Sequence, residues 1–176
     1  MLLGQPVRQI AYCVKDVRAA AERHSRLFGS GPFFVVEDIS TDSVYRGAPL
    51  KFRADSAFGQ WGTMQVELFE QKDDTPSAVS ELFPDPNNRV GLHHVALIVD
   101  SLEAAKQELA RAGYPVAMVS TLPELELVSV FVDTVGPYGH FTELYEPVPA
   151  LTEFYEMVAK AAIGFDGDKP LREMAF

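Results

Sequence analysis

The chain repeats itself, and a duplicated unit narrows the folds open to it more than any other property. Gln9-Ile10-Ala11-Tyr12-Cys13-Val14-Lys15-Asp16-Val17-Arg18-Ala19-Ala20 returns as His94-Val95-Ala96-Leu97-Ile98-Val99-Asp100-Ser101-Leu102-Glu103-Ala104-Ala105, an offset of 94 − 9 = 85. Val66-Glu67-Leu68-Phe69-Glu70 returns as Thr142-Glu143-Leu144-Tyr145-Glu146, an offset of 143 − 67 = 76. Two copies related by a pseudo-twofold axis bring equivalent positions together. The matched positions with chemical potential are Gln9 with His94 and Glu67 with Glu143.

Each copy reads as β-α-β-β-β. Residues 7–14 are rich in β-branched and aromatic types and predict a strand. Asp16 then caps a helix whose inner face carries Val17, Ala20, Ala21 and Leu27, stopped by Gly29-Ser30-Gly31-Pro32. Strands follow at Phe33–Asp38, within Val44–Arg53, and at Thr63–Glu70. The second copy predicts a strand at Leu92–Val99, a helix from Ser101 to Ala112, and strands at Val116–Thr121, Leu127–Asp133 and His140–Glu146. The proline- and aspartate-rich stretch between the copies reads as a connection with a helical turn around Ser77–Leu82.

The organisation expected is a first module over 1–71, a connection over 72–90, a second module over 91–148, and a C-terminal helix and tail over 149–176. The fold class is α+β, with two tandem βαβββ modules forming a curved mixed sheet, a half-barrel around a cavity. The last helix, about Leu151–Ile163, repeats Leu151, Phe154, Tyr155, Val158 and Ala162 at helical spacing and should pack on the body or on a partner subunit. The segment from Gly164 to Phe176 looks loosely held. The drop in offset from 85 to 76 places nine extra residues in the first half, between its first and last strands.

Alternate side chains of a strand share a face. Gln9 therefore sits with Val7 and Ala11, His94 with Leu92 and Ala96, Glu67 with Gln65 and Phe69, and Glu143 with Phe141 and Tyr145. With the other faces packed on helices, these line one cavity holding two carboxylates, an imidazole and an amide oxygen. Such a mixed N/O set suits a divalent ion, Zn²⁺ first, then Ni²⁺, Co²⁺, Mn²⁺ or Mg²⁺. The plainer alternatives are solvent-facing carboxylates and a hydrogen-bonded core histidine. His93 should point to the other face. Arg46, Lys51 and Arg53 could neutralise a carboxylate or phosphate of a substrate. Tyr45, Phe69, Phe141 and Tyr145 could wall the pocket.

Charge and composition exclude other classes. Fifteen Lys and Arg against 25 Asp and Glu leave a net charge of −10, which argues against a nucleic-acid binder. A single Cys offers no intrachain disulfide, so a reducing cytoplasm is the expected setting. No apolar run approaches the ~18–20 residues of a membrane span, and residues 1–12 lack the pattern of a signal peptide. Phosphate-binding glycine loops and nucleophile elbows are missing as well.

The doubled unit, Gly-Leu-His-His-Val-Ala at 91–96, and the E-L-F-E and E-L-Y-E strand endings resemble the vicinal oxygen chelate superfamily over residues 6–147. That superfamily includes glyoxalase I, methylmalonyl-CoA epimerase, extradiol dioxygenases and antibiotic-resistance proteins. Segment 91–102 looks most like the epimerase branch, whereas the set Gln9, Glu67, His94 and Glu143 is similar to that of glyoxalase I. The resemblance implies a homodimer and a metal-dependent isomerase, epimerase or lyase acting on a small carbonyl or acyl-thioester substrate. It also implies that Glu143 shuttles the proton α to the carbonyl, with Glu67 as its partner on the opposite face. Two alternatives stand beside this: a binding protein without chemistry, and an iron-dependent ring-cleaving dioxygenase. The dioxygenase fits less well, because Gln9 stands where a second histidine is needed.

Overall fold

The duplicated pattern folds into two interlocked halves of one ring of strands. The computed structural model describes residues 4–174; residues 1–3 and 175–176, at the outer ends of the first and last expected segments, lie outside the described residues. The first half comprises β1 (Val7–Cys13), α1 (Val17–Phe28), β2 (Phe33–Tyr45), β3 (Ala48–Trp61) and β4 (Met64–Gln71). A short helix, α2 (Ala78–Leu82), leads to β5 (Gly91–Ile98), α3 (Leu102–Arg111), β6 (Val116–Leu122), β7 (Leu127–Val132), α4 (Val135–Tyr138) and β8 (Phe141–Tyr145). Helix α5 (Pro149–Ala161) and the three-residue β9 (Leu171–Glu173) close the described chain.

The helix starts follow from local chemistry. Asp16 is extended and accepts the Ala19 N–H at 2.9 Å, and Ser101 accepts that of Ala104 at 3.2 Å. Each satisfies one of the orphan amides that every helix start leaves. Gly29 ends α1 in the left-handed region, at φ 66°. The buried track of α1 is Val17, Ala21 and Ser25, one residue per turn. Leu27, expected on the inner face, lies off that track and is 63% exposed.

Strands β1 and β4 pair in parallel, as do β5 and β8, and β1–β5 joins the two halves in antiparallel register. The other junction is β2–β6, where Asp42–Tyr45 pairs with Thr121–Met118. The order β2-β3-β4-β1-β5-β8-β7-β6 thus returns to β2, so the curved mixed sheet expected from the two modules closes into an eight-stranded barrel. The reason is the β2–β3 hairpin, whose strands run 13 and 14 residues against 7 and 6 for β6 and β7. Its tip turns at Arg46 and Gly47, both at positive φ, and reaches across to the second half.

Helices α1 and α3 lie outside the ring. Val17 and Ala21 pack with Phe33, Val35, Ala57, Val66 and Leu68 on one side, and Ala105 and Leu109 with Val130, Val132 and Leu144 on the other. Gly59 of β3 lies flat against the buried Phe33 ring, where a Cβ would meet ring carbons at 2.7 Å. Helix α5 packs on β3 and β4 through Val158, which joins Val36 and Phe58. The tail is not loosely held as expected: β9 pairs in parallel with Phe33–Val35 of β2, and Arg18 bonds both Glu173 and Glu37. None of the described helices is long and apolar enough to cross a membrane.

Candidate functional site

A cavity of about 150 Å³ occupies the barrel interior. The alternation read from sequence places Gln9, Glu67, His94 and Glu143 on its wall together with Phe69 and Tyr145. Gln9, His94 and Glu143 are each 3% exposed. His94 Nε2 lies 3.0 Å from Glu143 Oε2 and 3.6 Å from Glu67 Oε2. The Glu143 contact has ion-pair distance without hydrogen-bond alignment, so both atoms remain without a hydrogen bond. Among the described residues, no group of three or more His, Cys, Asp or Glu side chains is arranged as a metal cluster.

Neighbouring side chains fix the free oxygens in place. The Tyr145 hydroxyl donates to Glu143 Oε1 at 2.8 Å, and Ser56 Oγ donates to Glu67 Oε1 at 2.9 Å. Each carboxylate therefore keeps Oε2 toward His94. Gln9 Nε2 donates to Gln65 Oε1 at 2.6 Å, leaving Gln9 Oε1 buried and unpartnered. Gln65 already shares the Glu67 face in the alternating pattern, so its presence was legible. Ser56 was not, because its strand was read only as far as Arg53.

His93 departs from expectation. The β1–β5 register runs Ala11 to His94 and then Tyr12 to Leu92, so His93 is the extra residue of a bulge. Both imidazoles consequently face the cavity, and their Nδ1 atoms meet at 2.8 Å. Burial and the neighbouring His94 charge push the His93 ring well below its ordinary range. Burial also works against protonation of His94, but the charges of Glu143 and Glu67 outweigh it and hold that ring at about 9. Burial, followed by the Glu143 charge, keeps the Tyr145 hydroxyl protonated.

Five other expected site residues do not line the cavity. Phe141 is fully buried in the cluster beside it, its ring 5.3 Å from that of His93. The Tyr45 hydroxyl donates to Glu81 Oε2 at 2.6 Å, and Arg46 bridges Glu81 and Asp133. Arg53 pairs with Asp38, and Lys51 with Asp42. These cations stand on the outer surface of the long hairpin, satisfied by acids beside them. Sequence reasoning missed the contribution of α5, which lays Leu151, Phe154 and Tyr155 against the cavity. Cys13 packs with Phe69 and Val79 away from the cavity, its thiol pushed up to about 12 by burial.

Residues 8–124 match the model of the glyoxalase/bleomycin resistance protein/dioxygenase superfamily. The chain belongs to this superfamily. Solved structures with the same fold include methylmalonyl-CoA epimerase from Mycobacterium tuberculosis, 17% identical, with a TM-score of 0.57 over 86% of this chain and 93% of that one. A Streptomyces coelicolor methylmalonyl-CoA epimerase variant in complex with 2-nitronate-propionyl-CoA is 19% identical, with a TM-score of 0.53 over 82% and 97%. A hypothetical protein from Bacillus halodurans is 15% identical, with a TM-score of 0.54 over 81% and 94%. No curated protein matches the chain in sequence. At these identities the structural likeness is one of fold. The superfamily match ends before β7, so it leaves out Glu143 and α5.

Proposed function

We propose that this chain is a divalent-metal-dependent isomerase, epimerase or lyase that removes the proton α to the carbonyl of a small carbonyl or acyl-thioester substrate. The observation that carries this reading is the position of His94 Nε2 between Glu143 Oε2 and Glu67 Oε2, at 3.0 and 3.6 Å, on a cavity wall. Two largely buried carboxylates are costly unless a cation balances them. None of the described residues lining the cavity is Lys or Arg. Protonated His94 balances one carboxylate; a dication balances both and leaves His94 neutral.

Support for a metal lies in this charge balance and in the donor chemistry rather than in a ready-made cluster. Gln9 Oε1, His94 Nε2 and Glu143 Oε2 are all buried without hydrogen-bond partners. With Glu67 they form the mixed N/O set favoured by Zn²⁺ and its neighbours in the transition series. These four residues would hold the ion, which would supply Lewis-acid polarisation of the substrate carbonyl.

The remaining steps belong to the protein. Glu143 would be a ligand that loosens: its released Oε2 takes the proton from the carbon α to the carbonyl, and the C–H electron pair moves toward the carbonyl oxygen to give an enolate. Tyr145 occupies Oε1, which leaves Oε2 as the basic oxygen. Glu143 then gives the proton it took back to the enolate; delivery from the opposite face would instead need Glu67, held by Ser56 on the symmetry-related wall, to enter turnover protonated while Glu143 keeps the proton it took. Return to the same carbon from the opposite face epimerises; return to the adjacent carbon isomerises. General acid–base help of this kind contributes roughly 10²–10⁴-fold.

The test combines metal content with α-proton exchange in deuterium oxide. Stoichiometric divalent metal in the purified protein, and exchange that stops on chelation, are expected. Protein that takes up no metal and catalyses no exchange across α-hydroxyketones, thiohemiacetals and acyl thioesters would overturn the proposal. A second reading, capture of a small molecule without chemistry, draws on the mainly apolar lining and predicts binding without exchange.

A further inference from the structure

The cavity discriminates between the two substrate branches left open above, and this inference rests on that reading of the site. We infer that the substrate is a small, uncharged, mainly apolar carbonyl compound, and that the Tyr155 hydroxyl of α5 donates a hydrogen bond to one of its oxygens. The cavity of about 150 Å³ is of the size that accommodates a benzene-like molecule. Phe52, Phe58, Leu122, Leu127 and Phe131 give it a mainly hydrocarbon wall.

Charge argues against an anionic substrate. With a dication balanced by Glu67 and Glu143, no positive charge is left over for a substrate carboxylate, and the lining adds none. A buried carboxylate without a partner is strongly disfavoured. The cations of the nearby hairpin offer little to CoA phosphates, because Arg46, Lys51 and Arg53 are each already paired with acids. The chain as a whole carries −10.

Tyr155 supplies the polar end. It is 8% exposed, lines the cavity, and its hydroxyl is buried without a hydrogen-bond partner. Burial and the charges of Glu143 and Glu67 keep it protonated, against the weaker pull of Arg8. A buried O–H donor facing an apolar cavity calls for an acceptor, and a carbonyl or hydroxyl oxygen of the substrate meets that need. This residue stands outside both copies of the duplicated unit, so the added helix sets specificity for the barrel.

Isothermal titration of the full chain with Zn²⁺ present, wild type and Tyr155→Phe, tests this. The probes are hydroxyacetone and hydroxyacetophenone against pyruvate and phenylglyoxylate, which carry a carboxylate in place of the hydroxymethyl group, together with propionyl-CoA. The hydroxyketones should bind at least about tenfold more tightly than their anionic counterparts and propionyl-CoA, as expected for an uncompensated buried charge. Tyr155→Phe should weaken hydroxyketone binding roughly fivefold, the loss of one hydrogen bond. Its melting temperature should not fall, because the hydroxyl has no protein partner to lose. Equal or tighter binding of the anions or the thioester, failure of every hydroxyketone to bind, or an unchanged affinity in Tyr155→Phe would each overturn the inference. If these affinities hold but no α-proton exchange occurs, the catalytic proposal fails while this inference stands.

Discussion

His93 and His94, adjacent in one strand, meet Nδ1 to Nδ1 at 2.8 Å. Only one proton fits in such a contact, so one ring donates and the other accepts. Burial and the His94 charge disfavour protonation of His93, whereas Glu143 and Glu67 favour it on His94. His94 Nδ1–H is therefore the donor, and Nε2 of His94 faces the carboxylates. A ring held in this way is oriented as a ligating imidazole needs to be.

Replacing His93 with Leu leaves the His94 Nδ1–H buried without an acceptor. We expect a stability loss of about 1–3 kcal/mol, read by denaturant unfolding. Zn²⁺ affinity should fall roughly 10–100-fold, read by titration against a competing chelator. An unchanged affinity would show that the Nδ1 contact does not orient His94.

The His94 ring gives pH dependence a definite sign. Its folded value is raised from 6.5 to about 9, so its contribution to stability is complete below 6.5 and is lost as pH rises through about 9. With chelator present, the melting temperature should decline across that window. Divalent metal must displace the same proton, so Zn²⁺ affinity should instead climb with pH and level off near 9. Parallel rather than opposite trends would contradict this assignment.

Glu143→Gln keeps the shape of the side chain and an acceptor for Tyr145, but removes the base. α-Proton exchange should drop by roughly 10²–10⁴-fold while the fold persists by circular dichroism. Exchange at the wild-type rate would remove Glu143 from the chemistry.

Gly59→Ala tests the packing of the barrel wall. The new Cβ would meet Phe33 ring carbons at 2.7 Å, and Phe33 has no exposure through which to escape. A loss of about 1–3 kcal/mol is expected from denaturant unfolding. The buried core of α1 and β2 should loosen with it.

Arg46→Met addresses the ion pairs on the hairpin tip. The side chains of Arg46, Glu81 and Asp133 are about a quarter to a third exposed, at 33%, 31% and 26%, so the loss should be no more than about 1 kcal/mol. The KM of an exchange substrate should not change, because Arg46 does not line the cavity. A raised KM would return Arg46 to substrate binding.

The features that were legible in sequence are those set locally or by repetition. Asp16 and Ser101 announced their helices because capping is a matter of neighbouring residues. The repeat brought Gln9, Glu67, His94 and Glu143 to one cavity wall because strand alternation carries through both copies. The length of β2 and β3 was hidden because glycine and proline ordinarily interrupt strands, whereas Gly47 makes the hairpin turn and Pro49 remains within β3. His93 was misplaced because a bulge interrupts the period of two without any composition of its own. Tyr155 was visible as part of an apolar helix face, but where that face docks is decided by tertiary packing.

The three residues of β9 lie along Phe33–Val35, on a stretch of β2 that β6 does not reach, since β6 engages only Asp42–Tyr45. An uncovered strand margin offers unpaired amides and carbonyls to any passing chain. The terminal strand acts as a selvedge that keeps the woven wall from fraying into its neighbours. Trimmed before Leu171, the protein would keep its duplicated architecture yet present that open margin, and self-association through strand addition is the expected result.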